Sequence, residues 1–303
     1  MALEEWPLGK LDWARTQVVV EPPAPELGAW AGAPSAITRD GAYWLAYRLR
    51  NPVGEGRGYA NVLARSDDGI HFETVAEVHR DEFGGESLER PAVVVTPEGR
   101  WRLYVSVALP GTKAWRVDLL EAATPEELAT AAPRTVLPAT DLAAPKDPVI
   151  RLAQDGTWHL WASVHLLDDP GATDRMTTEH ATSPDGVTWT WTGTALAPRP
   201  GRWDGRGVRV STVLLRGGGV LAAYDGRAGA AENWEERTGF AAGTPEALVA
   251  EGDQPALVSP YGSGGLRYLD LVRALDGRNW RAYLEAARED GSHDLRTVEL
   301  LGP

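Results

Sequence analysis

A strand–turn–strand pattern occurs three times in this chain, as PSAITRDGAYWLAYRL at 34–49, PAVVVTPEGRWRLYVSV at 91–107 and PVIRLAQDGTWHLWASV at 148–164. Each copy begins with a proline, continues as an apolar run, turns at Asp-Gly or Glu-Gly, and ends in a stretch rich in aromatic residues. Both the prolines that begin the copies and the tryptophans that follow the turns are spaced 57 residues apart. A hairpin repeated at a fixed interval predicts an array of similar β units.

Two diverged copies follow, VRVSTVLLRGGGVLAAY at 208–224 and LRYLDLVRALDGRNWRAYL at 266–284. Since a second pair of short strands follows the hairpin in most units, we predict an all-β fold, a single five-bladed β-propeller of four-stranded antiparallel blades. The segment TQVVVE at 16–21 is expected to supply the outermost strand of the fifth blade and close the ring. The predicted single domain covers 1–303, and its blades cover roughly 30–87, 88–144, 145–204, 205–264, and 265–303 with 16–21.

Two other folds compete with this interpretation. A pair of β-sandwich domains would leave the 57-residue spacing as a coincidence. A parallel α/β fold needs a helix of about 10–15 residues between strands, and no unit contains such an amphipathic segment. The repeat therefore favours the propeller.

Composition narrows the class of function. The chain has 303 residues, of which 43% are hydrophobic and 24% charged, as in globular proteins. Its net charge of −13 disfavours binding to nucleic acid, because the phosphate backbone would be repelled. Having no cysteine, it has no disulfide, thiolate metal site or thiol nucleophile.

Location, metals and cofactors are predicted from what the sequence lacks. No apolar run is long enough to span a membrane, and the first residues do not resemble a signal peptide, so we expect a cytoplasmic protein without a membrane partner. The six histidines have no metal-ligand spacing, so we expect no metal and no cofactor.

The repeat alignment also predicts where functional side chains converge. In an antiparallel meander, the start of the first strand and the end of the second lie at the same end of the channel. The first-strand starts at this mouth are Gly32-Ala33, Glu89-Arg90, Lys146-Asp147, Val208-Arg209 and Arg267-Tyr268. The second-strand ends and flanking loops add Arg48, Arg50, His165, Asp225, Arg227, Glu285 and Asp204, with Trp30, Trp203 and Trp234 as candidate platforms for a sugar ring. Glu235 and Arg237, in the charged segment after the fourth hairpin, are further candidates to bind sugar hydroxyls. The competing interpretation is that the charges are solvated or paired and that the tryptophans pack the blades.

The blade pattern and the Asp147-Pro148 pair resemble the five-bladed glycosidases of the arabinanase and xylosidase type, glycoside hydrolase family 43. The resemblance implies a general base Asp before the first-blade proline, a second Asp-Pro in blade three that tunes the acid, and a Glu before blade four as general acid. Asp147 matches the second of these. The first position is Ala33, and near the third stands Asp204 rather than Glu.

Because alanine cannot activate water, a replacement carboxylate is needed, and Glu89 stands one blade away at the same depth. We therefore predict cleavage of a glycosidic bond, with Asp204 or Glu89 as acid, Asp147 as the carboxylate that orients and tunes it, and Arg90 and Arg209 as substrate anchors. The partner is predicted to be a small carbohydrate or glycoside, with an anionic group favoured by the arginines. The remaining predicted substrate-binding residues are Lys146, Arg267, Tyr268, Arg48, His165, Asp225, Arg227, Trp30, Trp203 and Trp234.

Two alternative functions need no base at the position of Ala33. The related five-bladed mannoside phosphorylases employ inorganic phosphate as nucleophile, and Arg90, Lys146, Arg209 and Arg267 would suit such an anion. The second alternative is a non-hydrolytic protein on the same scaffold, either a sugar-binding pseudoenzyme or a lyase or cyclase for an anionic small molecule.

Overall fold

The computed structural model describes residues 7–217 and 219–302, which form twenty strands and six short 3₁₀ helices. After β1, the strands follow one another as antiparallel groups, here called blades 1 to 5. In chain order the strands are β1 (Gln17–Val20); β2 (Trp30–Arg39), β3 (Ala42–Arg50), β4 (Gly58–Ser66) and β5 (Glu73–His79) of blade 1; β6 (Ser87–Val95), β7 (Trp101–Ala108), β8 (Trp115–Ala122) and β9 (Arg134–Leu137) of blade 2; β10 (Ala143–Leu152), β11 (Trp158–Leu166), β12 (Met176–Ser183) and β13 (Thr190–Leu196) of blade 3; β14 (Gly207–Arg216), β15 (Gly219–Arg227), β16 (Arg237–Thr244) and β17 (Ala247–Glu251) of blade 4; and β18 (Leu266–Arg273), β19 (Trp280–Ala287) and β20 (His293–Leu300) of blade 5. The 3₁₀ helices are Pro7–Lys10, Trp13–Arg15, Arg80–Phe83, Glu126–Thr130, Pro170–Ala172 and Ala230–Glu232.

Strand β1 completes blade 5 from the other end of the chain. It pairs antiparallel with β20, in a register that places Gln17 opposite Thr297 and Val18 opposite Arg296. The first strands of the blades pack side by side around the axis, and β18 of blade 5 lies against β2 of blade 1. The structure confirms the predicted all-β chain of four-stranded antiparallel blades and the predicted position of the N-terminal strand. Within the described ranges, no helix is both long and apolar enough to cross a bilayer.

The repeated tryptophans pack neighbouring blades together. Trp44 and Trp101, which are equivalent in the repeat, lie with ring centroids 4.5 Å apart in the core between blades 1 and 2. Trp158 belongs to the next apolar core, with Tyr104 and Ile150. The 57-residue spacing therefore marks residues that join blades by burying large rings.

Every first strand is irregular near its start. The pairing register of the first strand with the second shifts once in each blade, at or beside the channel-mouth pair in blades 1, 2, 3 and 5 and between Val210 and Thr212 in blade 4. Three residues at these bulges, Ala33, Asp147 and Tyr268, have φ between 52° and 54°, a left-handed conformation that is uncommon for residues with a Cβ. A bulge of this kind re-aims side chains locally, and here it does so around the axis.

Candidate active site

A cavity of about 510 Å³ opens at the end of the channel where the first strands begin. Cavities of roughly 300–1,000 Å³ are typical of small-molecule sites. Among the lining residues that the structure describes, seven are cationic, namely Arg50, Arg57, Lys113, Lys146, Arg209, Arg227 and Arg267. Four are acidic, namely Glu86, Glu89, Asp174 and Glu236. In a chain of net charge −13, this local excess of positive charge suits an anionic ligand.

Alternating charges run along one wall of the cavity from Glu89 to Glu236. Arg48 donates hydrogen bonds to Glu89 and, over 2.8 Å, to Glu285. Arg267 binds the other oxygen of Glu285 at 2.6 Å and reaches Glu236 at 3.2 Å. The two carboxylates at the ends of this chain line the cavity, whereas Arg48 and Glu285 lie behind its surface.

Glu285 is the centre of this wall. Its carboxylate is fully buried and also accepts hydrogen bonds from the backbone N–H of Ala33, at 2.9 Å, and from Nδ1 of His293, at 2.7 Å. Burial opposes ionisation, but the charges of Arg267 and Arg48 outweigh it and hold the pKa of Glu285 well below its ordinary value. An ionised Glu285 thus keeps two buried arginines in place.

Gly32 leaves the space that Glu285 occupies. A Cβ at this position would lie 2.0 Å from a carboxylate oxygen of Glu285. We expect Gly32→Ala to lower the free energy of unfolding by about 1–3 kcal/mol, because the carboxylate must move away from its arginines. Chemical denaturation measures this loss. Gly229→Ala is the matched control, since nothing lies within 4 Å of its added Cβ, and an equal loss in both variants would contradict the explanation.

Asp147 anchors a second buried cluster. Its carboxylate lies 3.4 Å from Nη1 of Arg209, 3.2 Å from the hydroxyl of Tyr268 and 3.4 Å from Nζ of Lys146. Arg209 is also bound by Asp225, at 2.8 and 3.0 Å, and its guanidinium lies 3.7 Å from the ring of Tyr268. Asp147 and Asp225 are fully buried, and Lys146, Arg209 and Tyr268 expose their edges to the cavity.

Both carboxylates at the ends of the charged wall are ionised at neutral pH. Burial would raise the pKa of Glu89, but Arg48 and other nearby cations lower it well below the ordinary value. Burial would also raise the pKa of Glu236, but nearby cations, of which Arg267 has the largest effect, lower it to about 2. Burial lowers the pKa of Lys146 from 10.5, with part of the effect offset by Asp147. The cavity thus combines acceptor carboxylates with an ammonium group that is easier to deprotonate than usual.

His165 presents an unused ring nitrogen. Its Nδ1 lies 2.7 Å from the carbonyl oxygen of Thr173, which can only accept, so Nδ1 carries the proton. Burial lowers the pKa of His165 to about 3, and the ring is neutral. Nε2 is buried and has no hydrogen-bond partner in the described part of the chain, although the residue lines the cavity. A ligand hydroxyl can therefore donate to this nitrogen.

The structure brings most of the predicted site together. The predicted residues that line the cavity are Glu89, Lys146, Arg209, Arg267, Tyr268, His165, Arg227, Trp30 and Trp234. Three more, Arg48, Asp147 and Asp225, lie directly behind it and bind the lining side chains.

Three predicted site residues lie elsewhere. Asp204 is buried in blade 4, where Arg199, at 2.8 Å, and the hydroxyl of Tyr224, at 2.8 Å, bind its carboxylate. Trp203 stacks on the same tyrosine, with ring centroids 5.6 Å apart, and so packs the blade. Arg90 points further along the channel, donating to the carbonyl of Pro34 at 3.1 Å. None of the three lines the cavity, because each side chain is used inside or between the blades.

Several lining residues were missed from sequence. In the loop between β15 and β16, Glu235 and Arg237 were expected to clamp a sugar, but they bind Ser263 and Glu232 instead. Their neighbour Glu236 enters the cavity. Trp115 was also missed, whereas Arg50, which was expected at the channel mouth because it ends a second strand, lines the cavity. In the described part of the chain, no group of three or more potential metal-ligating side chains is close enough to hold an ion.

No protein-family model matches the sequence, and no curated protein is recognisably related to it. Solved structures do match its fold. A thermostable family-43 glycoside hydrolase superposes with a TM-score of 0.68 at 14% identity, covering 89% of this chain and 88% of that one. A β-1,2-mannobiose phosphorylase from Listeria innocua, solved with β-1,2-mannobiose, gives 0.67 at 16% identity and 92% coverage of both chains. The GH43_1 enzyme from Xanthomonas citri, complexed with xylotriose, gives 0.65 at 13% identity, covering 94% and 89%.

These similarities show the fold. The chain has the β-propeller architecture found in glycoside hydrolases and mannoside phosphorylases, over most of its length. This confirms, at the level of fold, the resemblance predicted from the repeated hairpins.

Proposed function

We propose that this protein is an enzyme that cleaves a glycosidic bond in its central cavity. The observation that carries the proposal is the position of Glu89, a buried and ionised carboxylate at the surface of a cavity of about 510 Å³. The charged and polar groups that line this cavity suit the hydroxyls of a sugar. The fold shared with glycoside-cleaving enzymes supports the same class of substrate.

The charge states indicate which residue acts as the base and which as the proton donor. A hydrolase must activate water and must also protonate the leaving oxygen. Because nearby cations keep Glu89 ionised, we assign it as the base that takes a proton from water, in place of the residue that is Ala33 here. We assign proton donation to Lys146, whose pKa burial lowers and whose ammonium lies 3.4 Å from Asp147. Asp147 then orients the donor, and it is a positioning residue.

The cation-rich lining favours a second candidate, cleavage by inorganic phosphate. Of the seven cationic residues in the described cavity lining, Arg209 and Arg267 are bound by buried carboxylates behind it, whereas Arg50 forms no ion pair with a described residue. A phosphate ion held there would attack the sugar carbon itself, so no base would be needed. The proton donor would still be required.

Product analysis tests both hydrolysis and cleavage by inorganic phosphate. Purified protein is incubated with a panel of disaccharides and aryl glycosides, neutral and acidic, with and without inorganic phosphate, and sugars and sugar 1-phosphates are quantified. We expect free sugar from at least one substrate without phosphate. A phosphate-dependent sugar 1-phosphate would establish phosphorolysis instead. No cleavage of any substrate, despite saturable binding of a sugar, would overturn the enzymatic proposal in favour of a binding protein.

A further inference from the structure

Arg50 is the last residue of β3 and lies in the wall of the cavity with only 5% of its surface exposed. Two indole rings contact its guanidinium, with centroids 4.0 Å away for Trp30 and 4.8 Å away for Trp234. The two centroids are 5.2 Å apart, so both rings lie on the same side of the cation and stabilise it by cation–π contacts. Its hydrogen-bonding edge remains to bind a ligand.

That edge has no partner in the described part of the chain. Arg48, Arg209 and Arg267 each bind at least one carboxylate in the same region. Arg50 makes no ion pair or side-chain hydrogen bond with the described residues, and its Nε is buried without an acceptor. Burial lowers the pKa of Arg50 to about 10, so it remains cationic at neutral pH. An unpaired buried charge is costly, and a bound anion would offset that cost.

Trp234 reaches this position through an unusual backbone. It lies in the loop that joins β15 to β16 of blade 4, and its ring makes an edge contact with Trp30 of blade 1 at 5.2 Å. Its φ is 85°, a strained value for tryptophan. The loop therefore accepts strain in order to place an indole beside Arg50.

We propose that Arg50, held beside Trp30 and Trp234, forms an oxyanion subsite that binds the carboxylate or phosphate group of an anionic ligand. The free edge of a guanidinium donates two parallel hydrogen bonds to such a group. Where the ligand is the glycoside, this assignment rests on the proposed function and gives its substrate class, an acidic sugar. The same cation lies close enough to Glu89 to stabilise its charge, so an anion on Arg50 would also make Glu89 more basic.

Equilibrium binding tests the subsite without turnover. Glucuronate, galacturonate, glucose 6-phosphate and inorganic phosphate are titrated into the protein and followed by calorimetry and tryptophan fluorescence, with glucose and galactose as neutral counterparts. We expect at least one anionic probe to bind at least tenfold more tightly than its neutral counterpart. Arg50→Met should weaken that binding at least tenfold and should weaken binding of the neutral sugar by less, so that the preference for the anionic probe falls. Arg65→Met is the matched control, because it removes the same charge from blade 1 at an exposed ion pair with Asp67.

Each outcome of the titrations either supports or overturns the Arg50 subsite. Arg50-dependent binding of a uronate or sugar phosphate supports a ligand-borne anion, and Arg50-dependent binding of inorganic phosphate alone supports the subsite with the free ion as occupant. Equal affinity for charged and neutral probes, unchanged binding in Arg50→Met, or no binding of any anionic probe at 10 mM would overturn the inference. Anion binding without cleavage of any glycoside would retain the subsite and refute only the enzymatic proposal.

Discussion

Glu285→Ala is expected to lower the free energy of unfolding by about 3–5 kcal/mol, because the substitution leaves two buried arginines without a shared counter-charge. Arg48 and Arg267 are almost completely buried, and Glu285 binds both. The substitution also leaves the backbone N–H of Ala33 and Nδ1 of His293 without their acceptor. The measurement is chemical denaturation at neutral pH. Glu285→Gln, which keeps the volume and one acceptor oxygen, should lose less.

Two comparisons make this result specific. Glu73→Ala removes an exposed carboxylate from β5 and should change stability by no more than about 0.5 kcal/mol. The pKa of Glu285 is held far below its ordinary value, so its contribution is present above the unfolded pKa of about 4.5 and is lost as the pH falls. The difference between wild type and Glu285→Ala should therefore shrink in acid. A loss below 1 kcal/mol at neutral pH would show that the charged wall is not essential to the fold.

Glu89→Gln is expected to reduce kcat by about 10²–10⁴-fold on any glycoside that the protein hydrolyses. Glutamine preserves the shape of the side chain but cannot accept a proton from water. Steady-state kinetics on the substrate found by product analysis gives kcat and KM separately. Because Glu89 also offsets the charge of Arg48, the variant's thermal unfolding should be measured in parallel.

The control for Glu89 is Glu73→Gln, which changes an exposed carboxylate on β5, the outer strand of the neighbouring blade 1, and should keep wild-type kinetics. Retention of more than a tenth of the wild-type kcat in folded Glu89→Gln would remove Glu89 from the assigned base position. A large loss of kcat in Glu89→Gln when phosphate is the attacking group would contradict a purely phosphate-driven reaction, because that reaction needs no base.

The architecture was predictable because its signals are periodic. The tryptophans at 44, 101 and 158 repeat with the prolines, and a ring that packs one blade on the next must recur at the blade interval. The role of 16–21 could be predicted because the last unit lacked a fourth strand, which β1 supplies by pairing with β20. Alignment of the hairpins likewise placed Glu89, Lys146 and Arg267 at one end of the channel, where the structure has them.

The rest of the site depends on loops that do not repeat. Glu235 and Glu236 are adjacent and chemically identical, and only the path of the loop into β16 decides which one faces the cavity. Asp204 precedes blade 4 as the resemblance implied, but Arg199 and Tyr224 bind it within the blade. No local sequence pattern predicts that these two residues bind Asp204. The sequence placed Arg50 at the channel mouth, but it could not show that Arg50 forms no ion pair with a described residue.

The position of β1 has a consequence for how the molecule is made. Its partner β20 follows it by more than 270 residues, so blade 5 cannot acquire its outermost strand until β20 has left the ribosome. Blades 1 to 4 are each continuous in sequence and can assemble during synthesis. Joining the two ends is then a late step of long sequence separation, which slows folding. During this interval β1 and β20 are unpaired edges, and nascent chains are most exposed to association with one another just before the ring closes.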